Sequence, residues 1–210
     1  MRVRSFIIAY ALVLALLLFA DRRPTAPQNR YSQVVDLTEG SAAAGSPQTS
    51  GTRIISPAAL IPGTWGAAQI PAERLIAPLA VMDLTSDAQL SVEDIANWET
   101  RHGNVPQGAI VALRNKPDSQ TRFAGQFPIA ADAAQFLMEA RYTLGFVVET
   151  PAGLDRDRAL ARQLALHGNY VVEDSGRMTA LPETGSLIIV APTKTTSAPT
   201  TPVRVLAMVR

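Results

Sequence analysis

From residue 34 onward, the apolar positions switch between a strand period and a helix period. Val34, Val35 and Leu37 begin a short strand, and Ile54 and Ile55 begin a second that Pro57 turns into loop over Thr52 to Leu60. Pro71 to Leu75 has the composition of one helical turn, and Ala80 to Leu84 (AVMDL) that of a buried strand. Ser91 followed by Asp94 resembles a capping box, with Val92, Ile95, Ala96 and Trp98 at helical spacing behind it, so a helix is expected from Val92 to Arg101. Ala109 to Leu113 predicts a strand, Ala131 to Arg141 a helix, Gly145 to Val148 a strand, Asp155 to His167 a helix stopped by Gly168, and Tyr170 to Val172 a strand. Leu187 to Ala191 and Val203 to Val209 are two last strands, close enough through TKTTSAPTTP to run antiparallel. Residues 39–51 and 115–126 are polar and predict loops. The alternation of strands and helices predicts an α/β domain with a mixed sheet over residues 34–210.

The front of the chain follows a different pattern. Phe6 to Ala20 (FIIAYALVLALLLFA) is an unbroken apolar run between Arg2 and Arg4 on one side and Asp21, Arg22 and Arg23 on the other. As a helix it rises about 22 Å, short of the roughly 30 Å hydrocarbon core, which suits a signal-peptide core region. Ala20 fits the last position before a cleavage site but Leu18 is bulky where a small residue is usual, so residues 1–23 are expected to be either a cleaved signal peptide or an uncleaved signal anchor. Either places the domain outside the cytoplasm, exported or membrane-anchored, with the polar segment 24–33 as a linker.

Composition removes several kinds of chemistry. The chain of 210 residues has no cysteine, so disulfides, thiol nucleophiles and Cys-ligated zinc are excluded together. Without Arg2, Arg4, Arg22, Arg23 and Asp21, the 19 basic and 18 acidic residues become 15 and 17, a net charge of −2, and there is no basic run to hold nucleic acid. His102 and His167 are the only imidazoles, and each precedes a glycine at the end of an expected helix, where terminating the helix accounts for it. No G-x-S-x-G elbow, Gly-rich phosphate loop or internal repeat occurs. Asp155 and Asp157 in GLDRDR suit the first turn of a helix, and Trp65, Trp98 and Tyr170 suit the core or a subunit contact.

Several blocks together resemble the cyclase family, which includes bacterial kynurenine formamidase and related metal-dependent amide and ester hydrolases. They are VVDLT (Val34 to Thr38), GTRIISPA (Gly51 to Ala58), IPGTWGAAQIPAERLIAPLAVMDL (Ile61 to Leu84), LSVEDIANWETRHGNVPQGAIVALR (Leu90 to Arg114), AAQFLMEARYTLGFVVET (Ala133 to Thr150), GNYVVED (Gly168 to Asp174) and the closing VAP...PVRVLAMV. The resemblance implies a mixed, partly barrel-like β-sheet flanked by helices, preceded here by the N-terminal hydrophobic targeting helix. It also implies dimers or larger homo-oligomers.

The family's chemistry sits in a motif of the form H-x-G-T-H-x-D-x-P-x-H, in which two His and the Asp bind metal and the last His acts in catalysis. Gly51, Thr52 and Pro57 keep its frame, which places Thr49 and Arg53 at the metal-binding His positions, Ile55 at the Asp position and Ala59 at the catalytic His position. A second pair lies in a run like H-R-x-L-L-x-x-G-x-Y-x-V-E-N. Here that run is ARQLALHGNYVVED, with Ala161 at the His position and Glu173, twelve residues later, at the Glu position. Only Glu173 keeps a ligand. A catalytic metal needs three or more donors, Ile and Ala have no lone pairs, and Arg repels a cation.

The expectation is therefore a metal-site-lost member with no cofactor, no metal and no catalytic residue of the family type, binding a small molecule or a partner subunit. The alternative is an amide or ester hydrolase of the arylformamidase class with a rearranged site. Arg53, Trp65 and Glu173 are the candidate pocket residues. Arg53 either fills the place of the metal and pairs with Glu173, which would suit a carboxylate-bearing ligand, or points to solvent while Glu173 caps a local loop.

Overall fold

The structure is a computed structural model that describes residues 31–40, 51–84, 89–115, 126–154, 156–194 and 200–210. The expected targeting segment, most of the linker, Thr49, Asp155 and most of the two predicted polar loops lie outside these residues, and Gln33 at the linker's end already belongs to the first strand.

Eight strands and four helices are described. They are β1 (Gln33–Asp36), β2 (Arg53–Ile55), α1 (Pro57–Leu60), β3 (Ile76–Leu84), α2 (Val92–His102), β4 (Ile110–Asn115), α3 (Ala131–Ala140), β5 (Gly145–Val148), α4 (Arg158–Leu166), β6 (Tyr170–Glu173), β7 (Ser186–Pro192) and β8 (Thr200–Val209). Short 3₁₀ turns occupy Ala67–Gln69, Ala72–Arg74 and Met178–Ala180. Strands β3, β4, β5 and β6 run parallel in that order, and β2, β8 and β7 continue antiparallel from β6 back to β3. Because β7 pairs with both β3 and β8, seven strands close a mixed barrel, and β1 is added along β8.

Successive side chains on a strand face opposite ways, so β2 to β6 feed two cores while β7 and β8 feed the lumen alone. The lumen holds Ile54, Leu79, Val81, Ile110, Ala112, Val147, Tyr170, Val172, Ile188, Val190 and Val205. The outer layer sets Met82, Val111, Leu113, Phe146, Val148 and Val171 against Ile95 and Trp98 of α2, Ala134 and Leu137 of α3, and Leu160 and Leu164 of α4. Gly145 is required where β5 meets β6, since a Cβ there would lie 2.7 Å from the Tyr170 carbonyl oxygen. The Tyr170 hydroxyl donates to the Arg74 carbonyl at 2.7 Å, and burial pushes its pKa well up.

The predicted elements form, with differences that have local causes. The capping box of α2 is made by Ser91 and Asp94, and the helix runs on to His102, where Gly103 at φ +81° stops it. The Asp157 side chain accepts from the Leu160 N–H and starts α4 three residues later than expected. Pro57 does not end in loop: it takes the first position of α1, where a missing N–H costs nothing. β3 begins at Ile76, earlier than expected. Pro78 is tolerated because β4 joins β3 only from Leu79, leaving β7 alone to pair with the preceding stretch. Among the described residues, no helix is long and apolar enough to cross a membrane.

Candidate functional site

The motif frame has a structural purpose of its own. Gly51 sits at φ +101°, a conformation other residues rarely adopt. Buried Thr52 accepts the Glu39 N–H and donates to the Asp174 carbonyl, both at 2.7 Å, so its hydroxyl ties the start of β2 to the end of β6. Pro57 then turns the chain into α1. These contacts hold β2 in register with β6, with Arg53 opposite Glu173 and Ile55 opposite Val171.

Beside that register, on the outer side of the barrel, α1 and α4 flank a cavity of about 830 Å³. Its lining includes Ile55, Ala59, Ala161 and Glu173. Four positions separated by up to 118 residues in the chain thus face one space, in the arrangement implied by the motif. Thr49 lies outside the described residues.

Arg53 and Trp65 are not among the residues lining this cavity. On a strand, two residues span about 6.6 Å, so Arg53 lies one step along β2 from Ile55, towards Pro202. It faces Glu173 across the ladder but forms no ion pair within 4 Å among the described residues. Glu173 instead accepts the Ala152 N–H at 3.0 Å, the loop-capping alternative. Burial pushes the Glu173 carboxyl above its usual range, with the Ala152 hydrogen bond opposing, Asp174 adding to the rise and Arg53 pulling it back. Asp174 is raised by burial and lowered by the same guanidinium.

Trp65 is drawn elsewhere by its backbone and its ring. Its carbonyl accepts from the Ala58 N–H at 3.0 Å, and the Arg74 guanidinium lies 5.5 Å from the ring centroid. A Cβ on Gly168 would come within 3.1 Å of that ring, so glycine admits it. Trp65 therefore borders a separate space of about 250 Å³ with Thr64 and His167. His167 caps the C-terminus of α4 and Ala161 lines the larger cavity. The helical rotation of about 600° over six residues puts the two side chains in different directions. His102 ends α2 with its Nε2 against the Glu183 carboxylate and its ring packed on Trp98.

Three residues missed by the motif complete the cavity wall: Arg156, Arg158 and Arg162. The signal was present in RDRALAR. Positions 158 and 162 are four apart and bracket Ala161, so a helix presents all three along one side.

The sequence profile of the family described as "Putative cyclase" matches residues 19–155. The chain belongs to the cyclase family. Among solved structures, isatin hydrolase A from Labrenzia aggregata bound to benzyl benzoate is 26% identical, with a TM-score of 0.67 over 84% of this chain and 93% of that one. Isatin hydrolase A from Ralstonia solanacearum is 25% identical, with a TM-score of 0.66 over 85% and 81%. A potential metal-dependent hydrolase with cyclase activity shares the fold at 22% identity and TM-score 0.66, over 85% and 98%. A comparison with curated protein sequences gave no match.

The donor set of this family member does not fit the metal its resemblance implies. Ile55, Ala59 and Ala161 offer the cavity only hydrocarbon, Glu173 has one oxygen engaged by Ala152, and the other charged residues of the described lining are Arg156, Arg158 and Arg162. Among the described residues, no group of three His, Asp or Glu comes together in a way that could hold a metal ion.

Proposed function

We propose that this cyclase-family protein is a non-catalytic binding protein, exported or membrane-anchored through its N-terminal segment, that keeps the family's cavity without its metal chemistry. The observation that carries this reading is the lining itself, in which Ile55, Ala59 and Ala161 occupy the positions where the motif calls for ligands and a catalytic base. Hydrocarbon at three of those points cannot polarise a carbonyl or activate water. The surviving cavity has the volume of a small-molecule site. A second copy of the chain is the partner implied by the family resemblance.

A hydrolase of the arylformamidase class is the competing reading, favoured by the likeness to the isatin hydrolases. Metal analysis by mass spectrometry on the purified full chain, dialysed after exposure to zinc or manganese, separates the two. The binding reading expects no stoichiometric metal and no hydrolysis of N-formylkynurenine above the buffer rate. One tightly held equivalent of metal, or metal-dependent turnover, would overturn it.

A further inference from the structure

Three arginines, Arg156, Arg158 and Arg162, line the cavity. Arg158 and Arg162 are exposed on α4 and form no ion pair among the described residues. They lie four residues apart, which sets their Cβ atoms about 5–6 Å from each other, close enough for two guanidinium forks to meet one carboxylate. Arg156 joins them from the loop before the helix. Among the described lining residues the carboxylate is Glu173, whose Oε2 already accepts the Ala152 N–H. The rest of the lining is largely apolar and includes Ile55, Ile61 and Leu154. The arginines thus attract negative charge while the apolar lining rewards burial of hydrocarbon.

We infer that the cavity takes a small organic anion with an apolar body, its carboxylate held by Arg158 and Arg162 with Arg156 beside them, and its body against Ile55, Ile61 and Leu154. This rests on the reading of the site as a metal-free binding pocket and names the ligand class. Arg53 is outside the lining and is not part of the clamp. Glu173 sets the orientation, because it repels the ligand's charge from the barrel side and leaves the α4 side as the place for it.

The test is isothermal titration calorimetry of the full chain with phenylacetate and octanoate, the neutral phenylacetamide, and inorganic phosphate. Saturable binding of at least one carboxylate is expected, with the amide weaker than its acid by about tenfold or more and the acid's affinity falling as salt rises. Arg158→Gln and Arg162→Gln should each weaken carboxylate binding by about tenfold, while Arg204→Gln, which alters the distant pair with Asp36, leaves it unchanged. Equal binding of acid and amide, wild-type affinity in both arginine variants, or no saturable binding of either carboxylate overturns the inference. Phosphate binding as tightly as the organic acids would overturn the role of the apolar wall. Metal content is read on the same preparation: a stoichiometric metal sinks the metal-free reading, whereas a metal-free protein that ignores carboxylates sinks only the ligand class.

Discussion

The corner between α2 and α3 and the cavity between α1 and α4 use arginine in opposite ways. At the corner, Arg141 reaches across to Glu99 with two bonds of 2.7 and 2.9 Å, and Glu99 also accepts the Val105 N–H at 2.9 Å. Both side chains are largely buried, at 20% and 13% exposed, and every charge there is answered from within the chain. At the cavity, Arg158 and Arg162 stand on an exposed helix face with no carboxylate answering them among the described residues. The difference separates a charge that closes the fold from one that remains available to something outside it.

That distinction can be broken first at the corner. Glu99→Gln keeps an acceptor for Val105 but removes the charge from the bidentate pair, and a loss of about 2 kcal/mol is expected from thermal or denaturant unfolding. The Arg141 hydrogen bond, followed by the Val105 bond and the Arg141 charge, holds the Glu99 carboxyl below its usual range, against desolvation. A carboxylate depressed in the folded state stabilises above its unfolded pKa and loses that contribution as pH falls through the folded one. The gap between wild type and Glu99→Gln should therefore shrink between about pH 5 and pH 3. A gap independent of pH would show that the pair's charge contributes nothing.

Glu173 carries the opposite sign. Its pKa is raised chiefly by burial, so the folded state holds its proton to higher pH than the unfolded chain and stability falls as pH rises through that window. Glu173→Gln should raise the unfolding free energy at neutral pH by up to about 1 kcal/mol, with the gain vanishing in acid. A destabilised variant at neutral pH would mean that the carboxylate is answered by a partner after all, with Arg53 across the ladder the first suspect.

The smallest expected effect sharpens the contrast most. Arg158→Gln and Arg162→Gln should each leave the unfolding free energy within about 0.5 kcal/mol of wild type, because exposed positions without fold contacts have little to lose. A loss comparable to that of Glu99→Gln would place these arginines in the architecture and remove the contrast.

Most of the architecture is legible from periodicity. Gly145 to Val148 is a continuous apolar run and becomes the fully buried β5, and the capping box at Ser91 begins α2 where expected. Barrel closure is not a local property, since it depends on β7 meeting both β3 and β8. The site divides in the same way. Motif spacing brings Ile55, Ala59, Ala161 and Glu173 to one cavity because a chain held by Gly51, Thr52 and Pro57 has little freedom between them. Arg53 and Trp65 stand apart from this lining because a step along a strand and a ring packed over Gly168 are decided by tertiary neighbours. Arg156, Arg158 and Arg162 look like ordinary solvated helix charges until α1, contributed by residues about a hundred positions earlier, supplies the facing wall.

The many partners of β8 have a consequence for the order of events during synthesis. Residues of this one strand pair with β1, β2 and β7, so three earlier segments wait for the last strand to be made. Until it emerges, β7 and β2 each have an unpaired edge, the kind of surface that templates association between chains. Loop closure over such long separations is slow, and a nascent chain stalled before Thr200 is the species most in need of a chaperone. A carrier that keeps the polypeptide extended until release would suit this topology better than folding segment by segment.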